Sequence, residues 1–408
     1  MVPVFPMLDP ASRPLQGLKI LELARILAGP WIGQLLADLG ADVVKVERKG
    51  AGDDTRTWGP PFVARKGGDG DPEIPDLGAA YFHACNRGKR SIEADFENPD
   101  DIAMIRDLAV AADVVVENFK LGGLVKYGLD EKSLRALKPG LIYCSITGFG
   151  QSGPYAPRAG YDFLIQGMAG AMDITGQPDG QPTKAGYATA DIFTGMYATT
   201  GILAALRRRD ATGEGAYVDC NLLDSQIAVL GNQAMNYLVS GKPPKRLGNA
   251  HPNIVPYEVF PVADGYIVIA TGNDGQYRKL CEALGAAELA ANPDYATNRG
   301  RVTLRAALVP AISAYTMRFA KLDLLAKLEA LSVPAGPING IDEVFADPHV
   351  IVRGMRVDLT LPEAEAGSVP SVRSPIVIDG VPQFSSRPSP ILGQHTAEVL
   401  ADPNWKKA

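Results

Sequence analysis

A single acidic residue, Asp191, begins a long segment without charge. It follows a run of small residues and precedes an apolar stretch in which the next charged side chain is Arg207. This stretch predicts a buried helix, so the carboxylate lies at the helix N-terminus, beside backbone N–H groups that have no partner within the helix. Asp is among the residues most often found at the N-cap, so Asp191 could be a capping residue, a catalytic carboxylate or both.

Positive charges elsewhere could bind the phosphates of a nucleotide. Arg87, Lys89 and Arg90 fall within NRGKRSI, just before a predicted strand, and Arg48 ends another predicted strand. Cationic side chains pair readily with phosphate, and ligands collect at strand ends in parallel sheets. The alternative for the NRGKRSI cluster is a solvated entrance to the strand.

Two other kinds of site are disfavoured. The segment GFGQSG matches a dinucleotide-binding fingerprint, but Pro154 and Pro157 follow it where the phosphate-binding helix would begin. Because proline interrupts a regular helix, we do not expect NAD to bind at this loop. The four histidines show no HxH or HExxH spacing, so we expect no metal site.

Length and composition set further bounds. The chain of 408 residues is long enough for two domains, and a net charge of −6 without a basic tail argues against nucleic-acid binding. The four cysteines have no paired spacing, which is typical of reduced thiols in a cytoplasmic protein. The first residues lack the pattern of a secretion signal. The longest apolar stretch, 192–206, is too short and too rich in Gly and Thr to cross a membrane.

Strand and helix patterns alternate in the first half of the chain, which predicts a doubly wound, Rossmann-like α/β domain over 1–210. Strands are predicted at 19–23, 41–47, 91–96, 113–119 and 141–147, and helices at 30–39, at 100–111, after Asp130 and from Asp191. A smaller α+β domain is predicted over 226–325, with a hairpin and then helices at 275–285 and 302–317. The last segment, 330–408, is expected to return to the large domain.

Several segments together resemble the class III CoA-transferases, a family that includes formyl-CoA and carnitine CoA-transferases and the alpha-methylacyl-CoA racemases. The resemblance covers nearly the whole chain, and its strength lies in the order and spacing of the segments. These segments are GLKILELARILAGPWIGQLLADLGADVVKVER, NRGKRSI, DVVVENF, Asp191 before GILAAL, TGEGAYVDCNLLDSQ, VPAGPIN and PILGQHT.

The resemblance implies that Asp191 is the catalytic aspartate, which would form an aspartyl anhydride and then an aspartyl-CoA thioester. The helix N-terminus is expected to keep this carboxylate ionised. CoA esters would be substrates, with no permanently bound cofactor, and the chain would form an interlocked homodimer. The family alignment also implies these contacts with CoA: Arg48, Ala94, Asp95, Phe96, Glu97, Asn118, Phe119, Lys120, Lys126, Arg158 and Tyr161.

Two departures from the family pattern narrow the expected reaction. Tyr161 stands where the racemases have a histidine, and a phenol with an ordinary pKa near 10 is a poor base for an α-proton. Leu27 stands where the formyl-CoA transferases have a glutamine, and no glycine run follows in the region of 246–253. These departures favour transfer over racemisation and argue against formate or oxalate as substrates.

Four further segments carry a resemblance to one branch of the family: GAGDDTRTWGPPF, CSITGFGQSGP, DCNLLDSQ and GNAHPNIVPYEVF. The resemblance is to the branch that moves CoA from succinyl-CoA to a dicarboxylate such as glutarate or hydroxymethylglutarate. The far carboxylate of such an acceptor needs a cation or several donors, and Arg56, Arg158, Arg246 and His251 are candidates, with Leu27 beside them. Two alternatives stay open: an isomerase acting on 2-methylacyl-CoA, and a protein that binds CoA esters without turning them over.

Overall fold

The computed structural model describes residues 13–68 and 77–406. The expectation about a secretion signal concerns 1–17, of which 1–12 lie outside the described residues. The chain forms two compact units. The large unit contains the residues up to Ala171, Lys184–Val239 and the segment from Asp347 onward, and the small unit contains Met172–Thr183 and Ser240–Ala346.

A parallel sheet of six strands organises the large unit, which confirms the predicted α/β class. The strands are β1 (Lys19–Glu22), β2 (Asp42–Arg48), β3 (Lys89–Ala94), β4 (Val114–Glu117), β5 (Ile142–Thr147) and β6 (Ala216–Asn221). Their order is β3-β2-β1-β4-β5-β6, and every neighbouring pair is parallel. The order reverses between β1 and β4, and ligands of such sheets bind outside the carboxyl ends of the strands at that reversal.

Helices cover both faces of this sheet. The helices of the large unit are α1 (Ala28–Asp38), α2 (Ala80–His83), α3 (Pro99–Ala111), α4 (Glu131–Leu137), α5 (Asp162–Met168), α7 (Thr189–Thr212), α8 (Leu222–Ala228) and α9 (Asn232–Ser240). In the sequence between α5 and α7, the short α6 (Ala171–Ile174) belongs to the small unit except for its first residue. Successive residues of β1 point to opposite faces: Ile20 packs in the core with α1 and α7, and Leu21 packs in the core with α3. The strands are therefore apolar on both sides, as expected for a buried parallel sheet.

The small unit contains an antiparallel sheet, β7 (Tyr257–Val262), β8 (Gly265–Ala270) and β9 (Ala335–Pro337). Its helices are α10 (Asp274–Leu284), α11 (Ala287–Ala291), α12 (Asn298–Thr303), α13 (Arg305–Thr316), α14 (Lys321–Ala330) and α15 (Ile341–Ala346). These limits differ from the predicted 226–325. Residues 226–239 belong to the large unit, where α8 packs on α7, and β9 pairs with β8, which extends the small unit beyond 325.

The C-terminal residues from Asp347 belong to the large unit. Their elements are α16 (Pro348–Val352), β10 (Arg356–Thr360), β11 (Ser368–Val372), β12 (Val377–Ile378), β13 (Val381–Pro382) and α17 (Thr396–Ala401). The Trp405 indole donates to the Asp42 carboxylate over 2.7 Å, which ties the end of the chain to β2. Short 3₁₀ turns occur at Asp54–Thr57, Val125–Tyr127, Pro293–Tyr295 and Pro403–Trp405. In the part of the chain that the structure describes, no helix combines the length and apolarity needed to cross a membrane.

Candidate active site

A pocket of about 360 Å³ lies at the reversal of strand order in the large unit. The loops that follow β1, β4 and β5 form its walls, and Asp191 from the first turn of α7 reaches into it. Its volume is within the range of small-molecule sites. The lining residues are Arg25, Ile26, Leu27, Ala28, Asn118, Phe119, Lys120, Leu121, Gly123, Ile146, Thr147, Gly148, Ala156, Pro157, Arg158, Ala159, Gly160, Tyr161, Asp191 and Leu222.

Asp191 is not a capping residue, so the N-cap interpretation is wrong. Helix α7 begins two residues earlier, at Thr189, and its N-cap position is Ala188, without a side-chain cap. The capping acceptor comes from another helix: Asp162 Oδ1, at the start of α5, accepts from the Ala190 N–H over 2.8 Å. Gln166 donates to the other Asp162 oxygen over 2.7 Å. Asp191 is therefore left free of a capping role and faces the pocket.

The electrostatic surroundings of Asp191 oppose its ionisation. Burial, and then the negative charge of Asp162, raise the pKa of Asp191 from 3.8 to about 7. The helix N-terminus was expected to keep this carboxylate ionised, but the raised pKa shows that burial and the Asp162 charge outweigh it. Asp191 also acts on a neighbour, because burial and the Asp191 charge raise the pKa of Tyr81 to about 12.

The loop between β1 and α1 holds a strained residue at the pocket. Ile26 has a φ of 74°, which is rare for a β-branched side chain. No side chain caps α1, and none of the described residues accepts a hydrogen bond from the N–H of Leu27 or Ala28. Both residues line the pocket. These N–H groups can therefore bind an oxygen atom of a ligand.

Two glycines bring the opposite wall of the pocket close to β5. A Cβ on Gly160 would lie 2.5 Å from the Cα of Gly148, and a Cβ on Gly148 would lie 2.6 Å from the Cα of Gly160. Both contacts are backbone to backbone, so no side-chain rotation can relieve them. This approach fixes the loop that carries Arg158 and Tyr161 beside the end of the sheet.

The pocket continues as a groove along the carboxyl ends of β1 to β4. A second cavity, of about 320 Å³, shares Arg25 and Phe119 with the first, and a third shares Phe96, Glu97 and Tyr127 with the second. The Phe96 ring lies 5.5 Å from the rings of both Phe119 and Tyr127. This series of three cavities suits a long ligand with both apolar and charged parts.

Most of the residues expected to contact CoA lie along this groove. Asn118, Phe119, Lys120, Arg158 and Tyr161 line the first cavity. Arg48, Asp95, Phe96 and Glu97 line the second, and Lys126 lines the third. Ala94 differs, because its side chain is fully buried at the end of β3 and its carbonyl accepts from the Lys49 N–H. The exposed cations Arg48, Lys120 and Lys126 form no ion pair with any described residue.

Of the residues expected to bind the acceptor carboxylate, some line the pocket and others do not. Leu27 and Arg158 line the pocket. The Arg56 guanidinium donates two hydrogen bonds to Glu47, at 2.7 and 2.8 Å, and lies over the Phe82 ring. Arg56 is therefore occupied by Glu47 and does not line the pocket, so its candidacy for the acceptor carboxylate is wrong.

The other two candidates lie in the small unit. Arg246 donates to the carbonyl and the carboxylate of Asp173, and the His251 ring packs 5.1 Å from Tyr257. Their roles in substrate binding stay predictions.

Both interpretations of the NRGKRSI cluster are wrong. The Arg87 side chain is buried and pairs with Asp38, with nitrogen-to-oxygen distances of 2.5 and 3.0 Å. Lys89 is buried against Glu22 at 2.8 Å, and Arg90 pairs with Asp42 of β2. Each cation therefore neutralises a carboxylate of the large unit and binds no phosphate. Within the described ranges, no group of three or more His, Cys, Asp or Glu residues is arranged to hold a metal ion.

Sequence reasoning missed Arg25 and Glu117. Arg25 lines the first two cavities and pairs with Asp54 at 2.8 Å. Glu117 is buried at the end of β4 and accepts from Ser145 and from the Phe119 N–H. Burial raises the pKa of Glu117 to about 7 despite these two hydrogen bonds. Their position at the ends of β1 and β4 was the only available signal for these residues.

The fold and the pocket define an α/β protein with a ligand site at the reversal of strand order, and comparison with known families identifies its class. The model of CoA-transferase family III matches residues 15–396, so the chain belongs to this family and is a CoA-transferase. It is 59% identical over 390 residues to the succinate–glutarate CoA-transferase of Agrobacterium fabrum, and the match covers 95% of each chain.

Two further comparisons agree with this assignment. The chain is 42% identical to the human succinyl-CoA:glutarate CoA-transferase, over 96% of this chain and 86% of the relative. Its structure superposes on a CaiB/BaiF family protein from Brucella suis with a TM-score of 0.82 and 55% identity, covering 95% of this chain and 98% of that one.

Proposed function

We propose that this CoA-transferase moves CoA from succinyl-CoA to a free dicarboxylate, such as glutarate or hydroxymethylglutarate, through covalent intermediates on Asp191. One observation carries the proposal: the Asp191 carboxylate faces the pocket at the reversal of strand order and has no capping role. Two relatives with high identity bear names that pair succinate or succinyl-CoA with glutarate. Their similarity supports the choice of donor and acceptor.

The first half of the reaction consumes the donor. The Asp191 carboxylate attacks the thioester carbonyl of succinyl-CoA, the C–S bond breaks, and a mixed anhydride forms as CoA thiolate leaves. The thiolate then attacks the aspartyl carbonyl of the anhydride. Succinate leaves with one oxygen atom that belonged to Asp191, and an aspartyl-CoA thioester remains.

The second half reverses these steps with the acceptor. A carboxylate of glutarate attacks the aspartyl thioester and expels CoA thiolate, which gives a second mixed anhydride. The thiolate attacks the glutaryl carbonyl, glutaryl-CoA leaves, and the bridging oxygen stays on Asp191. Atoms and charge balance without water, so the site must hold the thiolate close and exclude hydrolysis.

Each attack places negative charge on a carbonyl oxygen, and the loop before α1 offers donors for it. Leu27 and Ala28 line the pocket, and their N–H groups have no acceptor among the described residues. Preorganised donors of this kind each lower the barrier by about 3 kcal/mol. We assign the stabilisation of the developing oxyanion to this segment.

The groove provides binding groups for the remainder of CoA. Arg48, Lys120 and Lys126 are exposed cations along it and can pair with the phosphates of CoA. The aromatic rings of Phe96, Phe119 and Tyr127 give the groove an apolar wall. For the far carboxylate of the acceptor, Arg158 is the candidate that lines the pocket.

We also propose that the protein acts as a homodimer in the cytoplasm. Helices α5, α7 and α8 pack together and expose large apolar side chains, namely Phe163, Leu164, Met168, Phe193, Met196, Tyr197 and Ile227. A face of this kind is typical of a surface covered by another chain. All four cysteines are free thiols, which favours a reducing compartment.

The direct test is mass spectrometry of CoA esters after the protein is mixed with succinyl-CoA and a panel of free dicarboxylates. We expect glutaryl-CoA or a related ester to form with an equal loss of succinyl-CoA. The Asp191→Asn variant, which keeps the shape of the side chain, should lower the rate by about 10⁴-fold or more. If no acid in the panel accepts CoA, or if the variant keeps full activity, the proposal fails.

A further inference from the structure

We propose that Asp53 is a positioning residue for the transfer reaction, because its carboxylate holds the Ile26 backbone in the left-handed conformation that presents the N–H groups of Leu27 and Ala28 to the pocket. This inference rests on the proposed function and deepens it. It assigns a role to a buried carboxylate that touches neither substrate nor the reacting atoms. Asp53 lines the second cavity but not the first, and its side chain has no exposed surface. An effect on the reacting atoms should therefore pass through Ile26 in the loop between β1 and α1.

The conformation of Ile26 needs an external restraint. Its φ of 74° lies in the left-handed region, which a β-branched residue rarely occupies. Such residues persist where the surrounding structure holds them, and they cluster at functional sites. Ile26 lies immediately before Leu27 and Ala28, so its dihedral angles set the direction of the following N–H groups. A relaxed Ile26 would turn these groups away from the pocket.

Asp53 provides that restraint through hydrogen bonds. Both of its carboxylate oxygens accept from the Ile26 N–H at 3.2 Å. Oδ1 also accepts from the backbone and hydroxyl of Thr55, at 3.0 and 2.8 Å, and Oδ2 pairs with the Lys45 ammonium at 2.9 Å. Every one of these partners is a donor. A carboxamide in place of the carboxylate would therefore direct its NH₂ group at another donor.

The ion pair behind Asp53 is itself fixed in the core. Lys45 is 1% exposed and also binds Glu22 at 3.0 Å and the Ala24 carbonyl at 2.8 Å. Glu22 pairs in turn with Lys89, whose ammonium donates to the carbonyl of Pro30 in α1 over 2.8 Å. This chain of buried charges joins β1, β2 and β3 to both ends of the Ile26 loop. Charges paired in this way have little freedom to move, because breaking a pair leaves an uncompensated charge in the core.

Loss of the Asp53 restraint should reduce the stabilisation of the transition state more than it reduces the binding of CoA. The Asp53 side chain has no exposed surface in the groove that we assign to the remainder of CoA, so KM for succinyl-CoA should stay within about twofold. The oxyanion donors would be misaligned, so kcat for Asp53→Asn should fall about tenfold or more. A merely structural role would instead lower the melting temperature without this separation of kcat from KM.

A rescue experiment isolates the backbone effect. Glycine adopts a φ of about +74° without strain, so Ile26→Gly should restore the loop in the absence of Asp53. Ile26→Ala removes nearly the same side chain but keeps the Cβ that opposes this conformation. We therefore expect the Asp53→Asn/Ile26→Gly double variant to recover most of the lost kcat and the Asp53→Asn/Ile26→Ala variant to recover little.

The outcomes separate this inference from the proposed function. If the unaltered protein transfers no CoA, the proposed function fails. If it does, but Asp53→Asn keeps full kcat, or if Gly and Ala at position 26 rescue equally or not at all, the role of Asp53 is overturned. Should Asp53→Asn alone fail to fold, the two double variants are compared directly. The inference is then supported if the variant with Gly at position 26 is active and the variant with Ala is not.

Discussion

At the scale of single residues, the central feature is a carboxylate whose ionised form is disfavoured by its surroundings in the fold. Asp191 faces a pocket, and burial together with the nearby Asp162 raises its pKa to about 7. A carboxylate with a raised pKa is a stronger base and nucleophile once it is ionised. The Asp162 carboxylate caps α7, and its negative charge also raises the pKa of Asp191. The same side chain therefore fixes the start of the helix and affects the reactivity of Asp191.

The raised pKa of Asp191 predicts the pH dependence of the reaction. Attack requires the ionised carboxylate, so kcat/KM for succinyl-CoA should rise about tenfold per pH unit below about pH 7 and level off above it. Asp162→Asn removes a negative charge and should move this inflection to lower pH. The control is Asp210→Asn, an exposed position near the other end of α7, which should leave the inflection unchanged. An inflection that Asp162→Asn does not move would contradict the electrostatic argument.

The same shift predicts that Asp191 destabilises the fold. Its pKa in the folded protein, about 7, lies above the ordinary 3.8, so the folded state holds the proton more tightly. The destabilisation is therefore absent below about pH 4, grows as the pH rises to about 7 and is complete above it. At about pH 8, Asp191→Asn should increase the free energy of unfolding in urea by about 1–3 kcal/mol. Near pH 4 the two proteins should unfold alike, and equal stability at both pH values would refute this account.

Sequence reasoning found Asp191 but not its surroundings. The absence of other charge before Arg207 and the family resemblance both singled out the residue. Asp162 caps α7 through a hydrogen bond to Ala190, 28 positions away. Tyr81 feels the charge of Asp191, which is more than one hundred positions away. Neither interaction leaves a local pattern in the sequence. Long-range contacts of this kind follow from the fold, so they become visible only when the fold is known.

At the scale of elements, the pocket depends on the close approach of the loop after β5 to the segment before α5. Gly160→Ala would place a Cβ 2.5 Å from the backbone of Gly148, so one wall of the pocket must move. We expect the free energy of unfolding to fall by about 1–3 kcal/mol and KM for succinyl-CoA to rise several-fold. Urea unfolding measures the change in stability, and steady-state kinetics with succinyl-CoA measures the change in KM.

A matched variant controls for the loss of glycine itself. Gly186 has an ordinary φ, and a Cβ there would meet nothing within 4 Å. Gly186→Ala should therefore leave both stability and KM close to their original values. If Gly160→Ala behaves like this control, the contact between the two glycines does not shape the pocket.

Predictions of elements succeeded where local pattern decides. Predicted strands at 19–23, 41–47 and 141–147 correspond to Lys19–Glu22, Asp42–Arg48 and Ile142–Thr147, because short apolar runs between turns suit a sheet buried on both faces. The start of α7 was misplaced by two residues because its capping acceptor lies on α5. The NRGKRSI cations were misassigned because their carboxylate partners lie on other elements.

At the scale of the whole molecule, the exposed apolar residues predict that two chains associate. Helix α9 has no buried residue, and Leu238 and Val239 are 70% and 80% exposed. Light scattering should give twice the mass of one chain, and Leu238→Glu should lower the fraction of dimer. Leu137→Glu, on α4, is the control at another exposed leucine. A protein that remains a monomer at concentrations used for catalysis would refute the predicted dimer.

The division into units was harder to predict from sequence than the class of fold. Alternating strand and helix patterns indicate a parallel α/β sheet, since that arrangement has few alternatives. The small unit, however, takes Met172–Thr183 from between two helices of the large unit and extends to Ala346. A segment this short has no periodicity of its own, so its membership depends on tertiary contacts such as those of Thr183 with Thr175 and Gly248 with Gly176.

The measurement that tests the central claim most directly is the transfer of oxygen-18 from labelled glutarate. If Asp191 carries both covalent intermediates, the bridging oxygen of the acceptor stays on Asp191, and mass spectrometry of its peptide should show the label after turnover with succinyl-CoA. In later turnovers the label should pass into succinate. Transfer of CoA without any label in Asp191 or succinate would contradict the proposed role of Asp191 as the nucleophile.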